Sequence, residues 1–172
     1  MRALSIAILS IVSASTSVSG QSSSGASAPT PCVTDAERHR FDFWIGEWSV
    51  TTSDGKPQGS SVIQSVSGGC ALLENWTSAR GGNGKSLNAY NPQIRQWQQY
   101  WIGQDGLVTE YRTSQFDGRS ITFFERRDAK PDSVGRLTFT PVDNATVRQH
   151  AEASSDGGKS WTTTYDLYYH RK

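Results

Sequence analysis

The chain has 172 residues and an almost neutral charge balance, 17 Lys plus Arg against 16 Asp plus Glu, with no basic run or stripe that could neutralise several phosphates. Nucleic acid is therefore not an expected partner, and the stretch from Cys32 to Lys172 is of the size of one domain with one core. The three histidines show no H-x-H or H-x-x-E spacing and the two cysteines no C-x-x-C, so neither a metal nor a cofactor is expected.

Met1, Arg2 and the largely apolar or small stretch 3–14 read as the basic and hydrophobic regions of a secretory signal peptide, too short to span a bilayer. Small residues come next, and 1–20 is assigned to the signal, with cleavage after Thr16 as the alternative. Residues 21–31 are almost wholly Ser, Gly, Ala, Pro and Thr, a flexible leader that buries too little to offset its ordering entropy. The neighbours of Cys32 do not form a lipobox, so no stable membrane anchor is expected and the mature protein is placed in the periplasm or outside the cell. That compartment is oxidising, and Cys32 is predicted to pair with Cys70, two free buried thiols being the alternative.

From Thr34 a capping box, Thr34-Asp35-Ala36-Glu37, opens a short helix in which Phe41, Trp44 and Ile45 recur at helical spacing until Gly46. Everything beyond it is β: ten short runs, beginning near Trp48, Ser61, Leu72, Leu87, Gln98, Val108, Ile121, Leu137, Val147 and Thr162, separated by turn clusters at nearly even spacing. Turns this short join antiparallel neighbours. Such a meander either closes or leaves long edges, so the expected fold is all-β, an antiparallel up-and-down barrel of about 8 to 10 strands over residues 32–172, with a two-sheet sandwich as competitor. The last hairpin, Ser154-Ser155-Asp156-Gly157-Gly158-Lys159-Ser160-Trp161, fits an Asp box. A single copy points to a stable turn, with Asp156 accepting backbone N–H groups and Trp161 packed beneath, and not to a glycosidase.

By the two-residue period Trp161, Thr163, Tyr165, Leu167, Tyr169 and Arg171 share one face of the last strand, as Gly46, Trp48 and Val50 do in the first. If these two strands close the barrel, Arg171 lies across the Trp48 ring as a cation on an aromatic face. The short N-terminal helix, Gly46-Glu47-Trp48 and Arg171 together resemble lipocalins and related calycin barrels, which implies an internal ligand site. FDFWIGEW, GGCALLENW, GKSLNAY, W-x-Q-x-W and SSDGGKSW are similar to an uncharacterised family of exported bacterial proteins with lipocalin-like barrels; the resemblance spans most of the mature chain and brings no assigned reaction.

The middle strands mix aromatic and polar residues on single faces: Leu72, Glu74 and Trp76; Ser86, Asn88 and Tyr90; Trp97, Gln99 and Trp101. A dry core disfavours Glu74, Asn88 and Gln99, because an unpaired buried polar group costs about 1 to 3 kcal/mol. The expectation is a pocket lined by Glu74, Trp76, Asn88, Tyr90, Gln99, Trp101 and Arg148, Arg148 supplying a charge complementary to Glu74 or Glu110, that holds a small apolar or amphipathic molecule without catalysis. Three alternatives stay open: these faces look to solvent, leaving a cavity-free structural or interaction module; Glu74 is the general base of an isomerase or hydrolase; or a late histidine, His150 or His170, ligates haem. Oligomeric state is not legible.

Overall fold

Each of the ten strands bonds antiparallel to its neighbours in sequence, and β1 closes the cylinder against β10. The computed structural model describes residues 31–126 and 133–172; the predicted signal 1–20, and the leader 21–31 apart from Pro31, lie outside the described residues. The strands are β1 Gly46–Thr52, β2 Pro57–Val66, β3 Ala71–Ser78, β4 Gly82–Asn91, β5 Gln96–Gly103, β6 Val108–Phe116, β7 Ile121–Glu125, β8 Val134–Pro141, β9 Thr146–Ser154 and β10 Thr162–Arg171. The fold is thus the up-and-down barrel, with every edge closed, and the sandwich is excluded. Several strands start earlier than their apolar runs: β4 takes in Gly82, Asn83 and Gly84, which read from sequence as loop. Strand ends at the barrel rim need hydrogen bonds, not hydrophobicity.

The predicted single helix is replaced by α1, Pro31–Thr34, and two 3-10 turns, Ala36–His39 and Asp42–Trp44. Asp35, not Thr34, is the cap, its carboxylate accepting from the Glu37 N–H at 3.0 Å. The tighter 3-10 path brings residues three apart onto one side, so Phe41 and Trp44 both drop into the barrel end, fully buried and stacked at 5.0 Å. Around them Phe139 lies 4.9 Å and Phe123 5.6 Å from the Phe41 ring, and Trp97 stands edge-on at 5.7 Å. This aromatic cluster plugs one end of the barrel. The Cys32–Cys70 disulfide holds α1 to the turn between β2 and β3 at the same end.

Trp48 and Arg171 face one another in the β1–β10 register, and the Arg171 guanidinium sits 4.4 Å from the centroid of the Trp48 ring. The last hairpin also has the predicted chemistry. Asp156 accepts from the Lys159 and Ser160 N–H groups at 3.0 and 2.9 Å, and the Ser160 hydroxyl and these donors hold its carboxyl well below the usual range. Trp161 is corrected in orientation. A bulge between Thr163 and Tyr165 shifts the pairing with β9 by one residue, and such a shift reverses the face. Trp161 and Thr163 therefore lie on the outer wall, Trp161 under Arg136 and Thr163 bonded to His150, while Tyr165 and Leu167 line the interior cavity with Tyr169.

Candidate functional site

Above the aromatic plug the inward faces of six strands, β3, β5, β6, β8, β9 and β10, line a cavity of about 350 Å³, within the range of small-molecule sites. Trp76, Trp101, Thr109 and Tyr165 lie within a few residues of the strand ends away from the plug, so the cavity lies toward that end. Alternation along β3, β4 and β5 puts Leu72, Glu74 and Trp76, then Ser86 and Asn88, then Trp97 and Gln99, on the interior side, as the sequence period predicts.

Glu74 forms the polar centre. It is 3 % exposed, faces Ile63 on β2 and Ser86 on β4, and accepts from the Ser61 hydroxyl through Oε1 and the Ser86 hydroxyl through Oε2, each at 2.9 Å. Behind Ser86 the chain of donors continues: Asn88 Nδ2 donates to Ser86 Oγ at 2.9 Å, and Gln99 Nε2 donates to Asn88 Oδ1 at 2.7 Å. The whole relay is directed at the Glu74 carboxyl. Burial pushes that carboxyl up to about 7, against the opposing hydrogen bonds of Ser61, Ser86 and Tyr169. On the far wall the Tyr169 hydroxyl donates to Gln149 Oε1 at 2.8 Å, and burial, with the nearby Glu74 charge, drives the phenol well above its ordinary range.

Two tryptophans form apolar walls, and glycines on neighbouring strands make room for them. A Cβ at Gly84 on β4 would collide with the six-membered ring of Trp101 and lie 3.0 Å from the Ile102 carbonyl. On β2, a Cβ at Gly59 would lie 2.8 Å from Trp76 Cη2 and collide with the Thr77 carbonyl. Both rings thus lie against backbone instead of side chains.

Of the residues predicted to line one pocket, Glu74, Trp76, Gln99 and Trp101 line this cavity. Asn88 is fully buried one hydrogen bond behind Gln99. Tyr90 also turns inward, but at the plugged end, where it lies beside Trp97 and borders a separate cleft of about 200 Å³ with Arg40 and Phe116. Arg148 is on the outside: it pairs with Asp166 at 2.7 and 2.8 Å and lies over Tyr168, because β9 turns Val147, Gln149 and Ala151 inward. Its expected partners are held elsewhere, Glu74 by serines and Glu110 by Arg112. The period-two set Val147, Gln149, Ala151 was the available signal; charge matching pointed to the wrong face.

Thr109, Tyr111, Leu137, Gln149, Tyr165, Leu167 and Tyr169 complete the wall. All three histidines bond outside the cavity: His39 to Asp42 and the Val33 carbonyl, His150 to Thr163, His170 to Thr51. Among the described residues no three His, Cys, Asp or Glu side chains converge as a metal site, and no helix is long and apolar enough to cross a membrane. The chain matches no protein-family model and no curated protein.

Proposed function

We propose that this is an exported small-molecule-binding barrel of the lipocalin-like kind, acting in the periplasm or outside the cell, which holds an amphipathic ligand in its interior cavity without transforming it. The observation that carries this reading is a cavity lined largely by indole and phenol rings, among which stand a few polar groups, Glu74, Gln99 and Gln149. Apolar walls with a few placed polar groups supply affinity and orientation respectively. The Cys32–Cys70 disulfide supports an oxidising compartment.

Thermal-shift screening of the oxidised mature protein against amphipathic metabolites and lipids tests the reading. Binders that stabilise the wild type but not a Trp76→Ala, Trp101→Ala variant are expected; binders whose effect is unchanged in that variant would place the site elsewhere.

A second reading has one specific observation in its favour. A buried carboxyl titrating near 7 is matched to proton transfer at neutral pH, so Glu74 could serve as the general base of a barrel enzyme. Incubating each identified binder with the protein separates the two: unchanged ligand after long incubation supports carriage, whereas product formation lost in Glu74→Gln supports catalysis.

A further inference from the structure

Resting on the cavity reading above, we propose that the ligand is a cation, a protonated amine carried on an aromatic or apolar body, with its ammonium group against Glu74 and its body between Trp76 and Trp101.

The inventory of the cavity carries this. Its lining contains one carboxyl, two carboxamides, two indoles and three phenols, those of Tyr111, Tyr165 and Tyr169, and no Lys, Arg or His among the described residues. On the outer wall three arginines are paired with carboxylates, Arg112 with Glu110, Arg136 with Glu152 and Arg148 with Asp166. Above about pH 7, where Glu74 is ionised, an anionic amphiphile, such as a fatty acid, would bring its carboxylate beside Glu74 with nothing to neutralise either charge, an arrangement that strongly disfavours binding.

The hydrogen bonds around Glu74 point the same way. Ser61 and Ser86 donate to its two oxygens, and Asn88 and Gln99 stand behind Ser86 in the same donor-to-acceptor sense. Such a relay stabilises the carboxylate form, yet the site offers that charge no counter-ion, and burial favours the neutral acid. A ligand ammonium supplies the missing charge. Each carboxylate oxygen keeps lone-pair capacity beyond its serine bond, and electron-rich ring faces, which the two indoles and three phenols provide, attract a cation as well as an apolar body.

Ammonium docking against a protonated Glu74 must expel that proton, so binding is linked to pH through this one carboxyl. The titratable groups coupled to it are the Tyr165 and Tyr169 phenols of β10, with Tyr111 of β6 in the same lining; β2 and β4 present Ser61, Ile63, Ser86 and Asn88, none of which titrates.

Three matched probes test the proposal: 4-phenylbutylamine, 4-phenyl-1-butanol and 4-phenylbutyrate, titrated by tryptophan fluorescence and calorimetry into the oxidised protein. The amine is expected to bind about tenfold tighter than the alcohol at pH 8, the margin of a charge-assisted over a neutral hydrogen bond, and the butyrate weakest. The margin shrinks as pH falls to about 6, where Glu74 holds its proton, and calorimetry at that pH in two buffers of different ionisation enthalpy shows proton release with the amine alone. In Glu74→Gln the amine and the alcohol bind equally. Should that variant fail to fold, the pH dependence and proton release in the wild type decide. Equal binding of amine and alcohol in the wild type, or preference for the butyrate, overturns the cation assignment and leaves the cavity reading standing; no binding of any probe, with fluorescence unperturbed, counts against both.

Discussion

Arg171, the last residue of β10, lies across the indole of Trp48 at 4.4 Å and donates to the Ile45 carbonyl at 3.1 Å, so the closing strand pair and the plug are joined at one point. Trp48 in turn donates its indole N–H to the Trp44 carbonyl at 3.0 Å. Gly46 is required beside them. Its φ is +144°, and a Cβ there would collide with Arg171 Nη1.

Arg171→Ala is therefore expected to lower the urea midpoint by an amount equivalent to about 0.5 to 2 kcal/mol, with Arg171→Lys recovering part of it. Gly46→Ala combines backbone strain with displacement of the guanidinium and should cost about 1 to 3 kcal/mol. Combining Gly46→Ala with Arg171→Ala should give less than the sum of the two, because both lose the same contact; additivity would contradict the arrangement.

The disulfide closes a loop of 38 residues between Cys32 and Cys70. Paired Cys32→Ser and Cys70→Ser substitutions are expected to destabilise the protein by about 3 to 4 kcal/mol in the chain-entropy description. The far-ultraviolet circular dichroism of the β-barrel should stay unchanged, since neither cysteine belongs to a strand. Parallel urea titrations of the oxidised protein and the variant measure the difference.

Stability should also depend on pH through Glu74. Its folded value of about 7 lies above the ordinary 4.5, so the native state binds this proton more tightly than the unfolded chain does. The resulting stabilisation is complete below the unfolded pKa and is lost as pH rises through about 7, amounting to about 3 kcal/mol across that window. Comparing urea midpoints of wild type and Glu74→Gln between pH 4.5 and 8 isolates it: the difference between the two should move across this window, and a constant difference contradicts the assignment.

Much of this arrangement was legible in the sequence. Even turn spacing gave ten antiparallel strands, and the alternation Leu72, Glu74, Trp76 with Ser86, Asn88 placed the buried polar network on the inner face. Two features were not legible. Trp161 and Tyr165 sit on opposite faces because of a bulge after Thr163, and a bulge has no local sequence mark here. The Thr34 capping box competed with Asp35, and the burial of Phe41 and Trp44 selected the tighter path. The outward turn of Arg148 to Asp166, by contrast, is legible in the period of Val147, Gln149 and Ala151, which outweighs a charge match to Glu74.

Gly84 links the strand register to the cavity wall. Gly84→Ala should push the Trp101 ring from its seat, at a stability cost of about 1 to 3 kcal/mol for overpacking. Ligands identified by thermal shift should lose affinity in parallel, and tryptophan emission should change. Unaltered emission and affinity would mean that Trp101 does not form the wall as described.

The most direct test of the account is native mass spectrometry of the protein purified under non-denaturing conditions from the cells that produce it. A population of heavier molecules is expected, whose excess mass is released on denaturation as one small amphipathic compound and which disappears when Trp76 and Trp101 are both replaced by Ala. A protein that emerges empty and shows no thermal shift against the amphipathic library would contradict it.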